Sequence, residues 1–125
     1  MRYNPHRDID PQRWLALDEQ ERVAAVKEYH RRRRIRLPSD ETHALIHTIV
    51  ENQVALGDAY RAKSVLLRLM AEGLDRNEAI HAIGSALSEQ LFDALKHRNQ
   101  QTDFAAEYLK RLDKLTAESW RKLLD

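Results

Sequence analysis

The fold is decided by the stretch His43-Ala44-Leu45-Ile46-His47-Thr48-Ile49-Val50-Glu51-Asn52-Gln53-Val54-Ala55-Leu56-Gly57. Leu45, Ile46, Ile49, Val50, Val54 and Leu56 recur at spacings of three and four, the period of one helical face. A strand would alternate with period two, and no segment of this chain does so over strand length. Gly57 follows the last periodic residue, where a glycine commonly ends a helix. Ser39 stands just before the stretch as a side-chain cap. The reading is one amphipathic helix over residues 40–56.

The same signals repeat outward. Upstream, Asp18 with Glu21 matches a capping box and opens a helix whose Val23, Val26 and His30 share a face. It runs out through Arg31-Arg32-Arg33-Arg34 and must stop near Leu37, because Pro38 pushes its predecessor out of the helical region. Residues 1–13 read as an irregular arm with Pro5 and Pro11 as breakers, its end pinned by Trp14, Leu15 and Leu17. Downstream, Asp58 caps a helix over 59–72 that buries Val65, Leu66, Leu69 and Met70 and ends at Gly73. Asp75 and Glu78 form a second capping box, opening a helix over 76–97 with Ile80, Ile83, Leu87, Leu91 and Leu95 on one face. Gly84 lies on that face at a cost of about 1 kcal/mol relative to alanine, so a close helix contact is expected there. After the polar break 99–102, Thr102 starts a helix using Phe104, Tyr108, Leu109, Leu112 and Leu115, and Thr116 caps a short last turn with Trp120, Leu123 and Leu124.

Length and composition agree. At 125 residues the chain is one domain's worth, able to bury a core without a metal or disulfide. The expectation is an all-α fold, a compact bundle of five or six mostly antiparallel helices in a single domain, 1–125. Within it, 1–13 is the arm, 14–97 the core and 98–125 a helical extension. Cysteine is absent, which excludes disulfides, thiolate nucleophiles, iron–sulfur clusters and cysteine-based zinc sites. Lys plus Arg total 21 against 20 for Asp plus Glu, so the whole molecule casts no strong field toward nucleic acid or an anionic membrane. No apolar run reaches the roughly 18 residues of a membrane span, and the first residues lack a signal-peptide core, so a cytoplasmic location is expected.

The histidines carry the chemistry. His43 and His47 stack four apart on one helix, and Glu51 continues the row. His81 sits inside the apolar arc of the 76–97 helix, three residues after Glu78. If the second and fourth helices face each other, His43, His47 and His81 with Glu51 or Glu78 supply three or four nitrogen and oxygen ligands, a set suited to zinc, iron or manganese. An open coordination position with a nearby Glu as base would make a metal-dependent hydrolase. The plainer alternative makes each histidine a core-border residue bonded to a carbonyl or carboxylate, with Glu78 only a cap. Arg31 to Arg34 form the one basic block. Four consecutive residues spread around a helix, and cations favour its C-terminus, so a solvated helix end competes with a phosphate or RNA contact.

Three segments carry a resemblance: His43 through Asp58, with its His-x-x-x-His-x-x-x-Glu-Asn pattern; Arg68-Leu-Met-Ala-Glu-Gly73-Leu-Asp75-Arg76; and Glu78-Ala-Ile-His81-Ala-Ile-Gly84. Over residues 14–96 the chain resembles a small bacterial, all-helical, histidine-marked family of unknown function. The resemblance implies that His43, His47, Glu51, Asn52 and His81 are the positions to watch. Asn77 departs from it, standing where members carry a histidine. The functional expectations are a noncatalytic interaction or self-association module, for which Trp14, Phe92, Phe104 and Trp120 supply apolar surface. The alternatives are a His/Glu metal site, and RNA or phosphate binding through Arg31–Arg34. The partner expected is self or another protein, with no membrane, and the charge balance argues against nucleic acid.

Overall fold

The computed structural model describes residues 2–32, 40–97 and 103–124. All regular structure among them is helical: α1 (Pro11–Ala16), α2 (Glu19–Arg32), α3 (Asp40–Ala55), α4 (Ala62–Ala71), α5 (Arg76–Lys96), α6 (Phe104–Lys114) and α7 (Ala117–Leu124), with a 3-10 turn at Gly57–Ala59. Seven helices replace the expected five or six, for two reasons. Pro11 begins α1: it occupies the first helical position, where its missing N–H costs nothing, and the Asp10 carboxylate accepts from the Gln12 amide at 3.0 Å. The last turn proves to be a two-turn helix, with Thr116 Oγ1 accepting from the Ser119 amide.

Both capping boxes form. The Glu21 amide donates to Asp18 at 2.8 Å and the Asp18 amide to Glu21 at 3.2 Å; Asp75 and Glu78 repeat the exchange at 2.8 and 3.3 Å. Asp58 does not occupy the cap position of α4, which is Arg61. The chain spends Gly57–Ala59 in the 3-10 turn, and α4 begins at Ala62 behind Arg61. Gly73, at φ 112°, closes α4 with a Schellman pair: its amide donates to Met70 O and that of Leu74 to Leu69 O. Ser39, Thr102 and the Leu37 stop lie outside the described residues, and Asp103 caps α6.

Helix α3 is the hub, packing against α1, α2, α4 and α5, while α5 packs against α3, α4 and α6. One core cluster joins α3 through α7 around Val50, Leu69, Ile80, Ile83 and Leu112; a second joins the N-terminal arm, α1, α2 and α3 around Tyr3, Trp14, Val26 and Ala44. A Cβ on Gly84 would stand 3.1 Å from Ile46 Cγ2, so the α3–α5 approach is as close as the sequence predicts. Four expected core leucines are on the surface, among them Leu56, which stands just past the end of α3 at Ala55. Leu45 is exposed because α3 turns Ala44, His47, Thr48 and Glu51 inward. Leu91 and Leu95 are exposed because α5, at 21 residues against 16 for α3, outruns its neighbours, and α6 docks there through polar contacts of Arg111 with Gln90, Glu89 and Asp93. Of the aromatic residues expected to be in surplus, Trp14 is fully buried, Phe104 and Trp120 pack on the core, and Phe92 is exposed.

Candidate metal centre

Four imidazoles meet where α3 lies between α2 and α5. Helix α3 supplies His43 and His47, one turn apart; α2 brings His30 in its last turn; α5 brings His81, three residues before the Gly84 contact. The ring centres of His30 lie 4.7 Å from His43 and 5.2 Å from His47. His43 and His47 are 4.5 Å apart, and His81 is 4.5 Å from His47 and 5.4 Å from His43. Imidazoles sharing one tetrahedral ion through bonds of about 2.0–2.1 Å hold their ring centres about 5 Å apart. The ligand nitrogens offered by His30, His43 and His47 all lie within 4.8 Å of one another. Small ring rotations bring such atoms to the roughly 3.3 Å spacing of a tetrahedral ion.

His47 is the centre of the group. It is 1% exposed, and neither Nδ1 nor Nε2 has a hydrogen-bond partner among the described residues. A neutral imidazole carries one donor and one acceptor, and each left buried and unpaired costs about 1–3 kcal/mol. Burial first, then the neighbouring His81, His43 and His30, hold the His47 pKa down to about 2. Burial, then His43 and His30, lower His81 to about 4, with Asp75 acting in the opposite direction. Both rings are therefore neutral throughout the physiological range, the state in which imidazole binds a metal without first losing a proton.

The carboxylates expected beside the histidines are engaged elsewhere. Glu51, 2% exposed, accepts from Arg76 Nη2 at 2.8 Å and Nη1 at 2.9 Å, and from the Tyr3 hydroxyl at 2.6 Å. Arg76 is 3% exposed and also donates to Pro5 O. This buried ion pair ties the arm and α5 to α3, and the burial and nearby carboxylate raise the Tyr3 hydroxyl pKa well above its ordinary value. Asn52 accepts from Trp14 Nε1 at 2.9 Å and Arg22 Nη1 at 3.2 Å, pinning α1 and α2 to α3. Glu78 is held in its capping box. The structure thus brings the expected His43, His47 and His81 together and leaves the expected Glu51, Asn52 and Glu78 in structural contacts; His30 joins the group without having been expected there. The one signal for His30 was its place on the apolar face of Val23 and Val26. In the basic block, Arg31 pairs with Glu28 at 2.7 Å and Arg32 donates to Tyr3 O, while Arg33 and Arg34 lie outside the described residues. No helix among the described residues is long and apolar enough to cross a membrane. No protein-family model matches this chain, and no curated protein or solved structure matches it.

Proposed function

We propose that this chain is a noncatalytic metal-binding helical protein that holds one zinc-class divalent ion among His30, His43, His47 and His81. The observation that carries the reading is His47: a buried imidazole with neither nitrogen partnered among the described residues, inside a group of rings at the spacing of shared ligation. An all-imidazole set suits zinc, with copper and nickel close behind; iron and manganese sites usually add carboxylates. Glu51, bound by Arg76 and Tyr3, does not offer a base to a metal-bound water, and this favours binding over hydrolysis. Membership in the histidine-marked bacterial family and a cytoplasmic location belong to the same proposal. An ion here would clamp three helices together, since binding to the folded state alone stabilises it by about 2.7 kcal/mol at a hundredfold excess over Kd.

The test is a zinc titration of the untagged chain followed by calorimetry. One ion per chain is expected, lost in His47→Ala and His43→Ala and kept in His97→Ala, whose side chain is exposed at the far end of α5, about 24 Å along the helix from His81. Absence of zinc binding, or equal binding by all three variants, would refute it. A second reading, self-association, is favoured by the exposed row Leu91, Phe92 and Leu95 on α5, of which Phe92 is 66% and Leu95 72% exposed. Sedimentation of the wild type and of Phe92→Glu tests it: a dimer that the substitution dissociates supports it, and a wild-type monomer at high concentration ends it.

A further inference from the structure

The N-terminal arm borders an open concavity, separate from the histidines, that is lined by arginines. Residues 2–10 fold back over the end of α2, anchored where Arg32 Nη2 donates to Tyr3 O at 3.1 Å and the Tyr3 ring meets Tyr29 edge-on at 5.9 Å. The concavity between arm and helix measures about 660 Å³ and takes in Arg2, Arg7, Arg13 and Arg32. Its acids are Asp8 and Asp10, so four cations face two anions in a molecule whose total charge is +1. Both acids have other partners: Asp10 caps α1, and Asp8 lies 3.7 Å from Arg76 Nε. Arg2, Arg7 and Arg13 have no carboxylate partner among the described residues, whereas Arg31, just outside, is paired with Glu28.

We infer that this concavity is a binding site for the di- or triphosphate chain of a small molecule, gripped by Arg2, Arg7, Arg13 and Arg32. Guanidinium forks bind phosphate oxygens in pairs, and several converging on one space match several adjacent phosphates better than a single one. The volume falls in the ordinary range of small-ligand sites, about 300–1,000 Å³. Tyr3 and Tyr29, 1% and 5% exposed, offer no face on which a base could stack, so recognition is confined to the phosphates. The lack of stacking platforms also favours a compact phosphate chain over a strand of RNA. A nucleotide and an inorganic polyphosphate share this chemistry.

The test is calorimetric titration of the full chain with inorganic tripolyphosphate, ATP, AMP and a short oligouridylate. A chelator is present throughout, so that no ion at the histidines recruits phosphate. Tripolyphosphate and ATP are expected to bind one per chain, AMP at least about tenfold more weakly. Equal affinities mean that the phosphate chain alone is read; tighter ATP points to nucleotides, and tighter tripolyphosphate to inorganic chains. Arg7→Ala with Arg13→Ala, both on the surface, should weaken binding at least about tenfold with the melting temperature unchanged, and Arg2→Ala should weaken it less. His47→Ala should leave it intact, which keeps this site independent of the metal reading. The inference is overturned if tripolyphosphate and ATP fail to bind, if the double variant binds them as well as wild type, or if the oligouridylate binds and tripolyphosphate does not.

Discussion

Acid should unfold the metal-free protein well above the carboxylate range. In the native state His47 is held to about 2 and His81 to about 4, against an ordinary value of 6.5. A lowered native pKa means that the unfolded chain takes up protons first. Above about pH 6.5 both states are neutral at these rings and pH has no effect. Below it the unfolded state gains a proton that the native state refuses, so stability falls as pH falls. Each such histidine contributes a slope of about 1.4 kcal/mol per pH unit, and the two together about 2.7. From pH 8 to 5 the loss is about 4 kcal/mol, a large share of the 5–15 kcal/mol typical of a domain. His81 stops contributing near pH 4, while His47 continues below it. The assay is urea unfolding by circular dichroism at half-unit steps from pH 8 to 4.5, in chelator. His47→Leu should about halve the slope. A stability that is flat between pH 7 and 5, or a slope unchanged by His47→Leu, would refute the claim that these rings are buried neutral.

Other outcomes follow from the polar contacts. Arg76→Met strands the Glu51 carboxylate and should cost about 3–5 kcal/mol in urea unfolding, with much of the loss recovered when Glu51→Leu is added. Asn52→Ala unpairs Trp14 Nε1 and should cost about 1–3 kcal/mol while leaving zinc stoichiometry at one; a loss of zinc would return Asn52 to the site. Gly84→Leu overpacks the contact with Ile46 and should cost about 1–3 kcal/mol by thermal melting, and a neutral result would contradict the close α3–α5 approach.

What the sequence disclosed depended on range. Helix class, both capping boxes and the Gly73 stop are local, and they read correctly from Asp18/Glu21, Asp75/Glu78 and the three-four spacing. Gly84 gave a long-range hint, because a glycine amid an apolar row is costly unless something packs on it. It did not say which helix makes that contact, so the juxtaposition of His43, His47 and His81 stayed conditional on the second and fourth helices facing each other. Failures arose where one residue type serves two purposes. Pro11 was read as a breaker although proline also starts helices, and Asp58 as a cap although its neighbours form a 3-10 turn. Glu51 shares a row with His47, yet its partner, Arg76, is 25 residues away and buried, an unusual place for an arginine. His30 escaped because a histidine on an apolar face looks like any core-border residue until the facing helix is known.

Diffraction at the zinc absorption edge from zinc-soaked crystals locates the ion. One anomalous peak is expected between α2, α3 and α5, about 2.0–2.1 Å from a nitrogen of His47 and of at least two among His30, His43 and His81. A strong peak elsewhere, or rings of His47 and His81 that each face an ordered water with no ion between them, would contradict shared ligation.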